Sequence, residues 1–209
     1  MWDKLGSVFD MENLLMRALA VVADLILLNF LTIIGMIPVV TAGASLTARN
    51  DVLQHIVRKE EGYIAQSFFS SYKSNLKQGS IMGLVFAVPA ALLIFEYDVI
   101  RAIPELHMPI FYAMLIFAGG IVLACGIYAF HLLARFENTI PGTIGNALML
   151  SLGYLPRTIG MLLAYAGFWA VVISFYMYLF PVIILFATTL PAYICTLLMD
   201  SVLRGEEAR

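Results

Sequence analysis

The stretch TIGMLLAYAGFWAVVISFYMYLFPVIILFATTLPAYICTLLM, from Thr158 to Met199, contains no Asp, Glu, Lys or Arg. A helix rises about 1.5 Å per residue, so crossing a hydrocarbon core about 30 Å thick takes roughly 20 residues. The stretch is therefore too long for one crossing and about right for two. An aromatic cluster ending at Pro181 lies in its middle, and such residues favour the membrane–water boundary. The pattern predicts a tight hairpin of two membrane helices that turns at this cluster.

The composition of the whole chain also indicates a membrane protein. Of its 209 residues, 62% are hydrophobic and 12% are charged, whereas soluble domains have about 45–50% and about 25%. The net charge of -2 gives no reason to expect a nucleic-acid partner. Cys125 and Cys195 lie in apolar runs and are interpreted as small helix residues. We expect one integral membrane domain over residues 1–209, with the lipid bilayer around it and no cleaved signal peptide.

Five apolar runs account for most of the hydrophobic residues. Only helices and closed barrels satisfy the backbone in lipid, and no run alternates with a period of two. We therefore expect an all-α, polytopic helical bundle with amphipathic cytoplasmic helices. A kink is expected at Pro89, and residues 5–20 are open to a second interpretation as an interfacial helix. The predicted spans cover residues 18–40, 79–95, 108–133, 158–176 and 181–199.

Lys and Arg are distributed unequally between the two sides that five spans define. The loop 41–78, the loop 134–157 and the C-terminal tail together hold nine of them, Arg49 included. The other side holds three: Lys4, Arg17 and Arg101. The positive-inside rule makes the first side cytoplasmic. We expect a protein of the cell inner membrane with its N-terminus outside and its C-terminus in the cytoplasm.

Asp24 and Asn29 are polar residues inside the first predicted span. Their spacing of five places them about 140° apart around a helix, so they do not share one face closely. A carboxylate at membrane depth costs several kcal/mol unless it is paired or hydrated, which makes it a functional candidate. Two interpretations stay open: the two residues anchor neighbouring helices, or they line a substrate or ion pathway.

The loop 41–78 is the richest polar stretch of the chain. Residues 41–45 are small and predict a flexible turn, residues 48–57 can be helical, and Gly62 is the expected C-cap. An aromatic helix face follows, with basic residues beside it. Two roles are open: a cytoplasmic docking platform for a soluble partner, or a helix on the inner leaflet with lysines on anionic headgroups. The candidate residues are Arg58, Lys59, Phe68, Phe69, Tyr72, Lys73, Asn75 and Lys77.

Sequence motifs for catalysis, nucleotide binding and metal binding are absent. No set of His, Cys, Asp and Glu residues, including His55, His107 and His131, has the spacing of a zinc site. No Walker or Rossmann glycine pattern and no nucleophile motif occurs. We expect no enzymatic activity, no metal and no cofactor.

The first 80 residues carry four informative stretches: Asp24–Asn29, Pro38–Ser45, Arg58–Tyr63 and Phe68–Gln78. Together they resemble the YesL-like family, bacterial integral membrane proteins of unknown function, whose size and five-span layout also fit. The resemblance covers roughly residues 20–80. The chain departs from the family pattern at four positions, and the missing basic residue at Ser70 weakens a docking or headgroup role for that helix. The departures are Ala23, Ala42, Ser70 and Tyr72.

The resemblance implies a role beside carbohydrate importers of the ABC type, next to which such proteins are typically encoded. The expected function is an accessory membrane component of sugar uptake, with importer subunits as partners. The alternative is a small self-contained transporter or channel with Asp24 and Asn29 in its pathway. Ala192 and Thr196 form a small-residue face that is compatible with a homodimer, although packing within the monomer is the favoured use.

Overall fold

The computed structural model describes the backbone of residues 2–60 and 62–207, and the side chains except those of residues 2–15, 17, 176, 177, 179 and 204–207. In this part of the chain all the regular elements are helical, which confirms the predicted all-α bundle. Short 3-10 turns at Val39–Thr41 and Pro104–Leu106 join some of the helices. The α-helices are α1 (Trp2–Met36), α2 (Ala42–Arg58), α3 (Ile64–Ser74), α4 (Leu76–Ala102), α5 (Pro109–Arg135), α6 (Ile140–Gly153), α7 (Leu155–Ser174), α8 (Tyr176–Phe186) and α9 (Thr189–Glu207).

Four helices are long and apolar enough to cross a membrane, and a bent pair makes a fifth candidate. The four are the Ala18–Met36 part of α1, and the whole of α4, α5 and α7. The fifth joins Phe180–Phe186 to Thr189–Leu203 across a bend of 53°. This agrees with the predicted layout of about five spans, except that the last span is broken. α1 runs without interruption from Trp2, so no break separates an interfacial helix from the first span.

The outer surface of the bundle is strongly apolar. On α4, Leu84, Val88, Leu92 and Phe95 recur every three or four residues and are all exposed. Such spacing places them on one side of a helix. Long exposed apolar stripes mark a surface that lipid or a partner covers. Pro89 lies inside α4, which continues past it.

The helix break in the C-terminal hairpin lies at the start of the predicted aromatic cluster. α7 ends at Ser174 and α8 begins at Tyr176, so the break is at Phe175, the first residue of that cluster. The expectation that the second helix begins at Pro181 is wrong, because Pro181 lies inside α8. A membrane helix tolerates proline where neighbouring groups satisfy the freed carbonyl.

α2 is the central helix of the bundle. It packs against α1, α3, α4, α5 and α9. Ala44, Ala48 and Val52, at a spacing of four, are buried. The helix predicted over residues 48–57 is confirmed, but the flexible turn predicted at 41–45 is wrong. α2 begins at Ala42, and its first turn is packed because the small side chains there let α4 approach closely.

Glycines bring the backbones of α2 and α4 together. A Cβ on Gly79 would lie 2.6 Å from Ala44 Cα, and a Cβ on Gly43 would lie 2.7 Å from Gly83 Cα. Both distances are shorter than real Cβ contacts, so only glycine fits at these positions. Close contact through small residues is typical of helix packing in membranes.

Lys59 ends α2 in the left-handed conformation, with φ 58° and ψ 34°. Its backbone N–H donates to the Ile56 carbonyl, and the Glu60 N–H donates to the His55 carbonyl. This is the closure that glycine usually provides after a helix. The expectation that Gly62 caps the helix is wrong, because the helix has already ended when the chain reaches Lys59.

Replacing Lys59 by Gly is expected to stabilise the protein by about 1 kcal/mol, because glycine adopts the left-handed conformation without the Cβ penalty. The midpoint of thermal unfolding in detergent would then rise by about 2–4 °C. The matched control is Lys73→Gly in the last turn of α3, which would lower the midpoint because glycine disfavours helix. A lower midpoint for Lys59→Gly would contradict this assignment.

Candidate functional site

Two regions of the bundle, one largely apolar around a few polar groups and one polar, can hold a ligand or a partner. The first, the Arg49 cavity, has a volume of about 350 Å³ and is bordered by Arg49, Asn50, Leu123, His131, Trp169 and Thr188, among others. The second, the polar cleft, has a volume of about 780 Å³ and is bordered by Asp51, His55, Ser71, Asn75, Lys77 and Arg135, among others. Each is built on α2, whose opposite sides face the two regions.

Arg49 is a buried cation, with 6% of its surface exposed. Its guanidinium donates to the Thr188 carbonyl at 2.9 Å and to Asn50 Oδ1 at 2.9 and 3.2 Å. Among the side chains that the structure describes, no Asp or Glu lies within ion-pair distance of Arg49. The guanidinium of arginine is always charged. The buried positive charge of Arg49 is therefore compensated, within the described part of the chain, only by neutral hydrogen-bond partners. Such burial costs several kcal/mol, and in a membrane protein it marks a functional candidate.

His131 on α5 joins the same network and is 1% exposed. Its Nδ1 lies 2.7 Å from the Ile127 carbonyl oxygen, which can only accept, so the hydrogen-bond network assigns a proton to Nδ1. Its Nε2 lies 3.0 Å from Thr196 Oγ1, and the same hydroxyl lies 2.9 Å from the Ala192 carbonyl oxygen, so its single proton serves one of these two acceptors at a time. His131 thus ties α5 to α9, and its Nδ1 also lies 3.3 Å from Asn50 Nδ2 of α2.

Hydrogen bonds and an ion pair continue the polar network along α2 toward its C-terminus. Gln54 Nε2 donates to the His131 carbonyl at 3.2 Å, and Gln54 Oε1 accepts from Arg135 at 3.1 Å. Arg58 then forms an ion pair with Asp200 of α9 at 3.0 Å, with both side chains mostly buried. Arg58 therefore has an acidic partner on a neighbouring helix, which distinguishes it from Arg49.

Asn29 bridges α1 to the break between α8 and α9. Its Nδ2 donates to the Ile184 carbonyl at 2.9 Å, and its Oδ1 accepts from the Thr188 backbone N–H at 2.9 Å and from the Thr188 hydroxyl at 2.8 Å. Asn29 is fully buried, whereas Asp24 is half-buried. The structure therefore gives Asn29 the anchoring role and does not bring the two residues together at one point.

The polar cleft lies between α2, α3 and the adjoining ends of α4 and α5. Burial raises the pKa of the Asp51 carboxyl above its ordinary value, and a hydrogen bond from Ser71 and the charge of His55 oppose this rise. His55 lies 3.6 Å from Asp51 and also contacts Glu60. A smaller cavity of about 250 Å³ adjoins the cleft and reaches Arg58. The cleft thus presents charges of both signs together with hydroxyl and amide groups.

The predicted docking residues divide into two groups. Phe68 is 1% exposed and stacks on Tyr72, with ring centroids 6.0 Å apart, whereas Phe69 is 48% exposed. The expectation of one exposed face that contains all three aromatic rings is therefore wrong, because Phe68 completes the packing between α1, α2 and α3. The other group lies at the surface or along the polar cleft: Lys59 and Lys73 are exposed, and Asn75 and Lys77 border the cleft.

Ala192 and Thr196 of α9 pack inside the monomer. Both are fully buried. Thr196 contacts His131, and Ala192 belongs to the apolar cluster that includes Leu25 and Val52. The favoured use of this small-residue face, packing within the monomer, is confirmed.

Arg49, Asn50 and His131 were not expected as site residues. A sequence signal for the first two exists in retrospect. They stand beside Ala44, Ala48 and Val52, whose spacing of four marks a helix face suited to burial. A basic residue on such a buried helix face needs hydrogen-bond partners inside the protein, whereas one in a solvated loop is hydrated by water. In the part of the chain that the structure describes, no group of three or more His, Cys, Asp or Glu side chains is placed to hold a metal ion.

The fold and its apolar surface define the class of this protein as a polytopic, α-helical membrane protein. Residues 25–97, about a third of the chain, match the model of the family described as "Protein of unknown function, DUF624". The matched region runs from within α1 to within α4 and includes Asn29, Gly43 and Arg49. Membership of the YesL-like family, which the resemblance suggests, remains a prediction. Searches of curated proteins and of solved structures gave no match.

Proposed function

We propose that this chain is an accessory membrane component of carbohydrate uptake, which receives a polar segment of an ABC-type importer subunit in its polar cleft and carries out no reaction itself. The observation that carries the proposal is the cleft. Its volume of about 780 Å³ lies within the range of binding pockets, about 300–1,000 Å³, and its border offers donors, acceptors and both signs of charge. A mixed polar surface of this kind suits the rim of a protein interface.

The rim of the cleft supports docking more than catalysis. Lys77 borders the cleft, and Lys73 and Phe69 are exposed on the neighbouring α3. Exposed cations steer an acidic partner, and an exposed aromatic ring provides an anchor. The link to sugar uptake rests on the resemblance over residues 20–80.

The proposal includes an inner-membrane location with the cleft in the cytoplasm. Arg49 is removed from the count of basic residues in the cytoplasmic loops, because its side chain is buried in the bundle. Eight basic residues then stand against three, so the positive-inside rule still favours an outside N-terminus and a cytoplasmic C-terminus. Importer subunits contacting the cleft would bind at their cytoplasmic side.

Co-purification tests the proposal. Full-length protein, extracted in mild detergent from cells that express the importer, is expected to retain importer subunits. Ser70→Trp, which fills the cleft at an exposed position of α3, would reduce the retained amount at least about tenfold, equal to about 1.4 kcal/mol of binding free energy. The matched control, Gln66→Trp, is exposed one helical turn before Ser70, does not border the cleft, and would leave the cleft open for binding.

Two results would overturn the accessory role. One is the absence of importer subunits from the wild-type preparation, with uptake unchanged after deletion. The other is solute flux through liposomes that contain this chain alone, which would favour the self-contained transporter with Asp24 and Asn29 in its pathway. That alternative needs Asn29 to release its bonds to Ile184 and Thr188.

A further inference from the structure

We propose that the Arg49 cavity binds a single-chain acidic amphiphile, whose carboxylate pairs with Arg49 while its apolar chain passes between the helices into the bilayer. This site is separate from the polar cleft, so the inference does not depend on the accessory function.

Charge complementarity identifies the head of the ligand. The partners that Arg49 has among the described residues, the Thr188 carbonyl, Asn50 and the Tyr165 hydroxyl, are all neutral. A carboxylate in the cavity would compensate the charge with short, charge-assisted hydrogen bonds, which are about twice as strong as neutral ones. Asn50 and His131 lie on the same polar side of the cavity and can orient the head.

The opening of the cavity identifies the chain of the ligand. Ala90 of α4, Leu123 of α5 and Trp169 of α7 border the cavity and are exposed on the side of the bundle. Each lies inside the apolar stretch of a candidate span, not at its end. A ligand that enters here passes through hydrocarbon, which an acidic amphiphile does by lateral diffusion and a sugar or a free phosphate does not.

The lining and the volume select one chain instead of two. Phe86, Ile127 and Phe130 provide apolar wall between the opening and Arg49. The volume of about 350 Å³ lies near the lower end of the range of small-molecule pockets, about 300–1,000 Å³. It accommodates a carboxylate and the first part of a chain, with the remainder in the surrounding lipid.

Photolabelling in a bilayer tests the site. The full chain is reconstituted in phosphatidylcholine nanodiscs with a photoactivatable palmitate analogue, and the labelled peptides are identified by mass spectrometry. Label is expected on the segments of α4, α5 and α7 that border the cavity. Palmitate would compete, methyl palmitate would compete at least about tenfold less because it lacks the charge, and acetate would not compete because it lacks the chain.

Variants separate the site from general lipid contact. Arg49→Gln is expected to lower labelling at least about tenfold, with Arg101→Gln, an exposed cation at the end of α4, as the charge control. Ala90→Trp blocks the opening with Arg49 intact, and Ala91→Trp, exposed on the same helix, leaves it open. If Arg49→Gln does not fold, the Ala90 and Ala91 pair decides the question.

Four results would overturn the inference. Equal competition by methyl palmitate would remove the role of the charge, and strong competition by acetate would identify a small anion instead. Equal labelling of Ala90→Trp and Ala91→Trp would place the label on the outer surface. A dimer in which crosslinks join the borders of the two openings, without label, would show that a second copy of the chain covers the cavity.

Discussion

Gly43→Ala is expected to destabilise the protein by more than about 4 kcal/mol, enough to prevent most of it from folding. The added Cβ would overlap the Gly79 carbonyl oxygen and lie 2.7 Å from Gly83 Cα, so it meets backbone that cannot rotate away. α2 would have to move, and α2 packs against five other helices. The measurement is the yield of monodisperse protein after extraction, together with its thermal unfolding midpoint in detergent.

Gly120→Ala is the matched control for Gly43→Ala. Gly120 lies in α5, and a Cβ there meets no atom within 4 Å. This substitution is expected to raise the stability by about 0.5–1 kcal/mol, because alanine favours helix over glycine. Equal midpoints for the two variants would mean that α2 and α4 do not cross at the glycines.

Asn29→Leu is expected to lower the free energy of unfolding by about 2–4 kcal/mol. Leucine has a similar branched shape but leaves the Ile184 carbonyl and the Thr188 N–H without the partner that Asn29 provides at the break between α8 and α9. A buried polar group that loses its partner costs about 1–3 kcal/mol. The measurement is thermal or denaturant unfolding of the detergent-solubilised protein.

Asp24→Leu provides the comparison on the same helix. The structure shows no hydrogen bond or ion pair of the half-buried Asp24 side chain with the described residues, so its replacement is expected to change stability by less than about 0.5 kcal/mol. If Asn29→Leu were as stable as Asp24→Leu, Asn29 would not anchor the break. Loss of solute flux in that stable variant would instead support the pathway interpretation.

The bend between α8 and α9 shows why the Arg49 cavity and the Asn29 anchor are connected. Ala187 and Thr188 interrupt the helix, and this frees backbone groups that Asn29 and Arg49 both use: Asn29 accepts from the Thr188 N–H, and Arg49 donates to the Thr188 carbonyl. In membranes, interrupted helices occur where protein groups or a polar cavity satisfy the backbone. The break therefore supplies part of the polar surface of the cavity.

The candidate sites were predictable only in part. Asn29 is predictable as a candidate because it is a polar residue within an apolar run, where its side chain needs a hydrogen-bond partner. Lys77 and Asn75 were expected on a polar surface, and they border the cleft. Arg49 was counted as a loop cation, since the charge of a residue does not reveal which helices surround it. His131 is distant from Asn50 in sequence, and only the packing of α5 against α2 brings them together.

The apolar runs are enough to predict the all-α class, a membrane location and the approximate positions of the spans. These follow from length and hydrophobicity, which act locally along the chain, as the uncharged run Thr158–Met199 shows. Only the packed structure shows that α2 is the buried centre, that Phe68 faces inward, and that the helix after the last turn begins at Tyr176 instead of Pro181. Those features depend on which neighbour each helix face meets, and that is settled by close packing between segments far apart in the chain.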